Sequence, residues 1–264
     1  SIFVFTSFIG VTNGFGIYLF ASLAPAMMGD LNFSYSGMGT ITALTQIGFL
    51  LLALLSGIFT ARFGPLVVVM GSILVRTAAL GGLAFVSDFW MLTFLLFVLS
   101  GSAASIWTPM AQATQYFIPQ RHRGKALGLM SSGTAYGVFA NSVIIQAFFE
   151  ADGWRSIWLF TAILSAVLCG IAVALFHHGA SNAKDMTSTQ PLRSSVRELA
   201  APLPLLLLAI MFLNGLACIP FQTYLSSYLV EDHNHTITSA SDVWRIIGVV
   251  GMFSGFLMGW VGDR

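Results

Sequence analysis

Charged residues are scarce in this chain. They make up 8% of its 264 residues, whereas a soluble domain carries about 25%. Eleven Lys and Arg against ten Asp and Glu leave a formal net charge of +1 without any basic tract, so no nucleic-acid partner is expected. The two cysteines, Cys169 and Cys218, lie inside apolar runs with no metal-ligand spacing. We therefore predict neither a metal site nor a disulfide framework.

Motifs of enzymes and of ATP-driven pumps are missing as well. No G-x-x-x-x-G-K-[ST] pattern occurs, which argues against direct ATP-driven pumping by this chain. His, Glu and Asp residues do not form a group at either membrane face. We therefore expect no enzyme and no cofactor. The chain enters an apolar run directly at Ser1, without the basic region or cleavage site of a signal peptide, and both ends are expected to be truncated.

Apolar residues are abundant in this chain. Hydrophobic residues make up 56% of the chain, and its mean hydropathy is +0.85. A helix that crosses the hydrocarbon core needs about 20 mostly apolar residues. Segments 66–75 and 203–212 lack the polar face of a soluble helix, which predicts an all-α integral membrane protein. Eight membrane-spanning segments are predicted, over approximately 2–28, 37–59, 66–86, 89–117, 126–149, 156–178, 203–230 and 243–261.

A long polar stretch, 179–202, separates six of these helices from the last two. It predicts a six-helix bundle over 1–178, a linker over 179–202, and the start of a second bundle over 203–264. Loops on the linker side of the membrane hold most of the basic residues: Arg62, Arg121, Arg123, Lys125, Lys184, Arg193, Arg197 and Arg264. The other side holds Arg155 and Arg245. The positive-inside rule then places the N-terminus and the linker in the cytoplasm, and we expect a bacterial cytoplasmic (inner) membrane.

A short pattern recurs at the ends of two membrane segments. Gly57-Ile-Phe-Thr-Ala-Arg-Phe-Gly64 follows the second, and Gly259-Trp-Val-Gly-Asp-Arg264 follows the eighth. Each has a glycine, a short apolar spacer and an arginine where the chain leaves the membrane. Duplicated helical bundles are a common construction of secondary transporters, so this repeat bears on function as well as on fold.

The loop after the second segment resembles the Gly-x-x-x-Asp-Arg-x-Gly loop of the major facilitator superfamily (MFS) of secondary transporters, with Ala61 in place of its aspartate. Arg123-Gly124 entering helix 5 and Gly153-Trp154-Arg155 entering helix 6 are similar to the family too. The resemblance covers the whole chain. It implies an MFS-type fold with eight of an expected twelve helices and a central cavity that opens alternately to each side.

The resemblance also implies a gating role for residues at the linker-side helix ends. Arginines there can bond exposed carbonyls, and glycines allow tight turns and close helix approach. Charge contacts that hold one conformation are one interpretation, and anchoring of the topology alone is the other. The candidates are Gly57, Arg62, Gly64, Arg123, Gly259, Asp263 and Arg264.

Polar side chains near mid-membrane are the candidates for the cavity. In the superfamily, helices 1, 2, 4, 5, 7 and 8 face the centre, and uncharged amides in hydrocarbon need partners. Each candidate contacts either a solute or another helix. They are Asn13, Gln46, Trp107, Gln112, Tyr136, Asn141, Asn214 and Gln222. Helices 1, 2, 4, 5 and 7 contain no mid-membrane Asp or Glu, so a proton-coupling carboxylate is not found here, and a coupling ion stays open.

Helix 5 carries glycines at intervals of four or five residues: Gly124, Gly128, Gly133 and Gly137. Small residues at this spacing let another helix pack backbone to backbone. The pattern predicts a close helix contact. The Gly-Pro that ends helix 5 in antiporters of the family is absent, since Val138 follows Gly137.

Arg76 lies about ten residues into helix 3, roughly 15 Å from its linker-side end. An unpaired arginine there costs about 2.5–3.5 kcal/mol on insertion scales. It either contacts an anionic solute or relays protons, or it makes a structural hydrogen bond to a neighbouring helix. Arg245, preceded by Trp244 at the far mouth of helix 8, is interpreted as an interfacial anchor.

These observations favour a secondary active transporter that moves a small solute across the bilayer by alternating access. Arg76 and Arg245 favour a small organic anion over a neutral polar solute, and a lipophilic cation least. A non-transporting membrane receptor or assembly protein of the same fold remains the alternative. The sequence does not predict an oligomeric state.

The basic-residue asymmetry makes a prediction about topology. In a background lacking Cys169 and Cys218, cysteines at Asp152 and Asn234 should react with an impermeant thiol reagent in intact cells. Cysteines at His122 and Asn182 should react only after permeabilisation. Labelling of Asn182→Cys in intact cells would overturn the orientation.

Overall fold

The computed structural model describes residues 6, 9–117, 123–177 and 201–262, and the structural statements below refer to these residues. They form eight helices, and no strand occurs among them. The predicted linker lies almost wholly outside these ranges. The helices are α1 (Gly10–Leu31), α2 (Tyr35–Phe63), α3 (Pro65–Leu83), α4 (Phe89–Phe117), α5 (123–152), α6 (154–177), α7 (Pro202–Asp232) and α8 (Ile237–Gly262).

Helices α5 and α6 form a hairpin that turns at Gly153. This residue has φ 71° and ψ −173°, a backbone conformation that only glycine adopts readily. Phe148 and Phe160 have ring centroids 5.0 Å apart. Twelve residues of straight helix would separate them by about 18 Å, so the chain folds back on itself.

Local sequence accounts for the other helix ends. Asn32 ends α1 in the left-handed conformation with φ 51°. Gly64 has φ 84° between α2 and Pro65, the first residue of α3, where the fixed φ of proline suits a helix start. Asp88 Oδ1 accepts hydrogen bonds of 2.9 Å from the backbone N–H groups of Trp90 and Met91, which caps α4.

Five stretches of the described helices are long and apolar enough to cross a membrane. Gly10–Leu31, Tyr35–Phe63, Phe89–Trp107, Gly124–Ile171 and Pro202–Asp232 each meet the length and hydropathy of a spanning helix, and Val67–Leu83 is a shorter apolar helix. Gly124–Ile171 contains both arms of the α5–α6 hairpin. The helices connect two membrane faces. The linker face carries residues 63–65, 201–202 and 262; the opposite face carries residues 31–35, 83–89, 153 and 232–237.

Helix α8 starts earlier than the hydropathy predicts, at Ile237 rather than near residue 243. Thr236 Oγ1 accepts a 3.1 Å hydrogen bond from the N–H of Ser239, which caps the helix. Ser241 is buried, and its carbonyl accepts a 2.7 Å hydrogen bond from Ser142 Oγ of α5. The first turns are polar because they face another helix rather than lipid.

The buried core lies within the first six helices and is centred on α1. Leu19, Leu23 and Met27 of α1 are fully buried against apolar side chains of α3, α4 and α6. Helix α7 is the opposite case, since no residue in its most apolar window is buried. Its leucines form an apolar surface that no other described helix covers.

Helix α5 lies between α1 and α8 at backbone contact distance. A methyl group on Gly14 would overlap the Cα of Gly137, and one on Gly133 would overlap the carbonyl oxygen of Thr6. On the other flank, a methyl group on Gly248 would come 2.8 Å from the Phe139 nitrogen. The glycines of helix 5 therefore serve close helix packing, as predicted.

The turn at Gly153 makes a prediction about stability. Gly153→Ala should destabilise the protein by about 1–3 kcal/mol, because alanine is strained at this φ and ψ. No atom lies within 4 Å of the added methyl group, so the loss is conformational. Gly170→Ala is the matched control, since its methyl group also meets open space and its φ is not positive. Equal thermal midpoints of the two purified variants would contradict this explanation.

Candidate substrate pathway and its closed side

Two of the predicted amides lie together at the middle of α1. Asn141 of α5 is 1% exposed, and its Nδ2 donates a 2.6 Å hydrogen bond to the Gly14 carbonyl. Asn13, the neighbour of Gly14, is half-buried. The contact is possible because glycines bring α5 against α1 at this level. Asn141 Oδ1 is buried without a hydrogen-bond partner in the described structure, so it keeps a free acceptor.

A second pair of amides borders the contact between α2 and α7. Thr223 Oγ1 of α7 donates a 3.4 Å hydrogen bond to Thr42 Oγ1 of α2, and both side chains are buried. Gln222 precedes Thr223, and Gln46 lies one turn after Thr42; both amides are half-buried. They flank the contact on the side nearer the linker face, since α2 runs toward that face and α7 runs away from it. Trp107 of α4 is half-buried too, and Gln112 lies further along α4.

Two predicted cavity residues do not join these amides. Tyr136 is 45% exposed and shares its helix face with the exposed residues Val143 and Ala147. It lines an apolar cavity of about 440 Å³ between α1, α5 and α6, beside Leu164 and Leu168. Asn214 lies on the exposed surface of α7, where its Oδ1 accepts a 3.5 Å hydrogen bond from Cys218 Sγ. The place of Tyr136 in the substrate pathway therefore stays a prediction.

Arg76 makes structural hydrogen bonds. Its guanidinium is 1% exposed, and it donates through Nη1 to the Leu99 carbonyl of α4 at 2.8 Å and through Nη2 to the Val11 carbonyl of α1 at 3.1 Å. No carboxylate pairs with it among the described residues. Of the two roles predicted for Arg76, the structure therefore favours the helix-to-helix hydrogen bond in this conformation.

Side-chain contacts join α2 to α7 near the opposite face. Tyr35 of α2 and Tyr224 of α7 have ring centroids 6.2 Å apart, and Ser227 Oγ lies 3.7 Å from Met38 Sδ. With the Thr42–Thr223 hydrogen bond, these contacts join α2 to the last turns of α7. We call them the α2–α7 contact.

A polar cluster joins α5 to α8 near the same face. Gln146 Nε2 donates to Asp242 Oδ1, and Arg245 donates to Gln146 Oε1 at 2.9 Å. Arg245 also pairs with Asp242 at 2.6 Å. Trp244 is buried, donates from Nε1 to Ser226 Oγ at 2.8 Å and meets Tyr18 edge-on. Arg245, interpreted as an interfacial anchor, thus also bonds α5, and its anchoring role stays a prediction.

Toward the linker face the side chains of α2 and α7 are exposed in the described structure. Residues 205–214 of α7 are all exposed, and so are Leu50, Leu54 and Ile58 of α2. Among the described residues, the hydrogen bonds and ring contacts between α2 and α7 are confined to residues 35–42 and 223–227. Thus the described parts of α2 and α7 are in contact near the opposite face only, whereas α5 and α8 also approach each other at the linker end, where a methyl group on Gly255 would come 2.9 Å from the Gly128 carbonyl oxygen.

The gating candidates lie at the linker face. Gly64 supplies the positive-φ turn after α2, whereas Gly57 has open space within 4 Å and makes no close helix approach. Arg62 is exposed, and its Cζ lies 5.5 Å from the centroid of the Phe63 ring. Arg123 begins α5, and Gly259 lies in the last turn of α8. Asp263 and Arg264 lie outside the described residues, so their gating role remains a prediction.

A separate group of side chains joins α1 to α6 at the opposite face. Asp30 at the end of α1 accepts a 2.8 Å hydrogen bond from Trp154 Nε1 and pairs with Arg155 at 3.2 Å. Arg155 stacks on Trp154 with its Cζ 4.1 Å from the ring centroid. The motif Gly153-Trp154-Arg155 therefore ties α6 to α1.

Comparisons with known proteins agree with this architecture. The Major Facilitator Superfamily model matches residues 6–264, and the chain belongs to that superfamily. It is 22% identical over 265 residues to a Haemophilus influenzae protein named "Putative metabolite transport protein", covering 96% of this chain and 64% of the relative. It is 21% identical over 276 residues to the "Hexuronate transporter" of Bacillus subtilis, covering 99% of this chain and 64% of that protein. The chain thus spans less than two thirds of the length of these relatives.

The family match confirms the predicted family and the all-α, multi-pass membrane fold. Both relatives carry the names of transport proteins rather than of enzymes. Sequence reasoning missed Gln146 and Asp242, which hold α5 to α8. Gln146 is an amide inside a predicted membrane segment, and the same rule that selected Asn141 could have found it.

The contact between α1 and α5 makes a prediction about packing. Gly137→Ala should destabilise the protein by about 1–3 kcal/mol, because its methyl group would lie 2.6 Å from the Gly14 Cα and overlap the Gly10 carbonyl. Gly81→Ala in α3 is the control, since its methyl group would meet Ala162 Cβ at an ordinary 3.9 Å. Thermal unfolding in detergent measures the difference. A midpoint for Gly137→Ala equal to that of Gly81→Ala would show that the helices can separate without loss.

Proposed function

We propose that this protein is a secondary active transporter that works by alternating access, seen here closed at the opposite face. The observation that carries the proposal is the position of the hydrogen bonds and ring contacts between α2 and α7. They lie in residues 35–42 of α2 and 223–227 of α7, while the amides Gln46 and Gln222 lie next to them toward the linker face. A solute entering from the linker face would reach these amides and stop at the contact.

The energetics suit a contact that opens. The α2–α7 contact consists of neutral hydrogen bonds and ring contacts, and a net neutral hydrogen bond contributes only about 0.5–1.5 kcal/mol. The α5–α8 cluster adds one ion pair whose side chains are 42% and 43% exposed. Such half-exposed pairs contribute little, so both contacts can exchange for others without unfolding a bundle.

The basic-residue asymmetry supports an orientation with the linker face in the cytoplasm, and a bacterial inner membrane is the membrane we propose. In that orientation the opening is toward the cytoplasm. No carboxylate lies mid-membrane in the described parts of α1, α2, α4, α5 or α7, so we assign no coupling ion to these helices.

For the solute we propose a small organic anion of the carboxylate class. The positive charge of Arg76 is not balanced by a carboxylate among the described residues, and such a charge in a low-dielectric interior favours an anion nearby over a cation. The name of the Bacillus subtilis relative, a hexuronate transporter, points in the same direction. Arg245 contributes less than the sequence suggested, because it is paired with Asp242.

A disulfide across the α2–α7 contact tests alternating access. Thr42 and Thr223 have hydroxyl oxygens 3.4 Å apart, so cysteines at these positions can form a disulfide after a small adjustment. In a background with Cys169→Ala and Cys218→Ala, oxidation of the Thr42→Cys/Thr223→Cys protein should abolish uptake, and reduction should restore it. The opposite face could not open while the bond is present.

The control is a disulfide within the first bundle. Thr77 of α3 and Ser165 of α6 have hydroxyl oxygens 2.8 Å apart. Thr77→Cys/Ser165→Cys should oxidise equally well and leave uptake unchanged. Full uptake by the oxidised Thr42→Cys/Thr223→Cys protein would contradict alternating access through this contact, whereas no uptake by the reduced protein would favour a receptor or assembly role.

Competition tests the solute class. Cells that produce the protein should accumulate labelled glucuronate, and other small carboxylates should compete with it. Galactose and tetraphenylphosphonium should compete weakly, because neither carries the negative charge that the field of Arg76 favours. Uptake of galactose but not of glucuronate would contradict the proposed anionic solute and indicate a neutral one.

A further inference from the structure

Helix α1 is irregular through its middle. Residues Gly10–Tyr18 form a π-helix, in which Phe15 (φ −81°, ψ 19°) and Gly16 (φ −109°, ψ −108°) leave helical geometry. π-Helical turns occur often at functional sites. This segment, 10–18, also carries Asn13, so its backbone conformation sets where that amide points.

The hydrocarbon core makes such an irregularity costly. No bulk water is available there to bond a carbonyl whose helical geometry is disturbed, so another part of the protein must donate. Two side chains from two other helices do so. Arg76 of α3 donates to the Val11 carbonyl at 3.1 Å, and Asn141 of α5 donates to the Gly14 carbonyl at 2.6 Å.

The guanidinium suits its position because of its shape. It donates through one terminal nitrogen to Leu99 of α4 and through the other to Val11 of α1, so a single planar group joins three helices. An ammonium group is a single donor centre and does not offer this fork.

Gly16 provides the space that the guanidinium needs. A methyl group on Gly16 would lie 2.9 Å from Arg76 Nη2, the same nitrogen that bonds the Val11 carbonyl. The break in α1 and the side chain that holds it thus depend on each other. A substitution at Gly16 can displace the guanidinium without removing its charge.

We propose that Arg76 is a positioning residue, which acts through Gly16 and the Val11 carbonyl to hold segment 10–18 in the conformation that presents Asn13 to the substrate pathway. It holds the segment rather than contacting solute. The importance of Asn13 for transport rests on the proposed function, but the geometry of the segment does not. The test below therefore requires no transport.

Thiol labelling of Asn13→Cys measures the conformation of the segment. In the complete protein in nanodiscs, with Cys169→Ala and Cys218→Ala, the reaction rate with N-ethylmaleimide is compared with that of Gln46→Cys. Gln46 is a half-buried amide on α2, outside the segment. Arg76→Gln and Gly16→Ala should each raise the rate at Asn13→Cys by at least about fivefold, the change that a one-kcal/mol shift in a local equilibrium produces.

The reaction rate at Gln46→Cys should change by less than about twofold in the same variants, because Gln46 lies outside the segment. A change of about twofold corresponds to a much smaller free-energy shift than one of about fivefold. Arg76→Lys should restore the Asn13→Cys rate only in part, because it keeps the charge without the fork. Gly170→Ala, whose methyl group meets no atom within 4 Å, should leave both rates unchanged.

Two results would overturn the proposal. One is an unchanged Asn13→Cys rate in both variants while their thermal midpoints fall, which would make Arg76 a purely structural bond. The other is an equal rise at Asn13→Cys and Gln46→Cys, which would indicate a general opening. If Arg76→Gln does not fold, Gly16→Ala alone provides the test, because this variant retains the guanidinium of Arg76.

Discussion

Backbone hydrogen bonding inside the hydrocarbon core is the constraint on which this structure depends. Helix α1 departs from helical geometry at Phe15 and Gly16, in the middle of the membrane, where a carbonyl cannot turn to water. Arg76 and Asn141 donate to that stretch of backbone. Asn141 can reach it because facing glycines let α5 approach α1 to backbone contact.

The same helices carry the closure at the opposite face. Helix α5 contacts α1 through its glycines and contacts α8 through Gln146, which bonds both Asp242 and Arg245. Helix α1 meets α8 through the rings of Tyr18 and Trp244. A change in the middle of α1 is therefore directly connected to the contacts between the first six helices and α7 and α8.

Hydropathy predicted the eight helices well because membrane length is a strong constraint on apolar runs. The glycine spacing of helix 5 also predicted a close helix contact, since only small side chains permit it. Hydropathy could not orient a side chain around its helix axis. It did not indicate that Tyr136 lines an apolar cavity beside Leu164, or that Trp244 is buried. The partners of Arg76 are backbone carbonyls of two other helices, which no sequence pattern marks.

The distance across the opposite face tests the account most directly. Phe85 and Asn234 are exposed there, one in the first six helices and one before α8. Spin labels at Phe85→Cys and Asn234→Cys, in a background without Cys169 and Cys218, report that distance by double electron–electron resonance in nanodiscs. We expect one dominant short distance in the otherwise unchanged protein and a second, longer population when Gln146→Leu removes the hydrogen bonds of Gln146 to Asp242 and Arg245. Identical distance distributions with and without Gln146→Leu would contradict a closure held by these contacts.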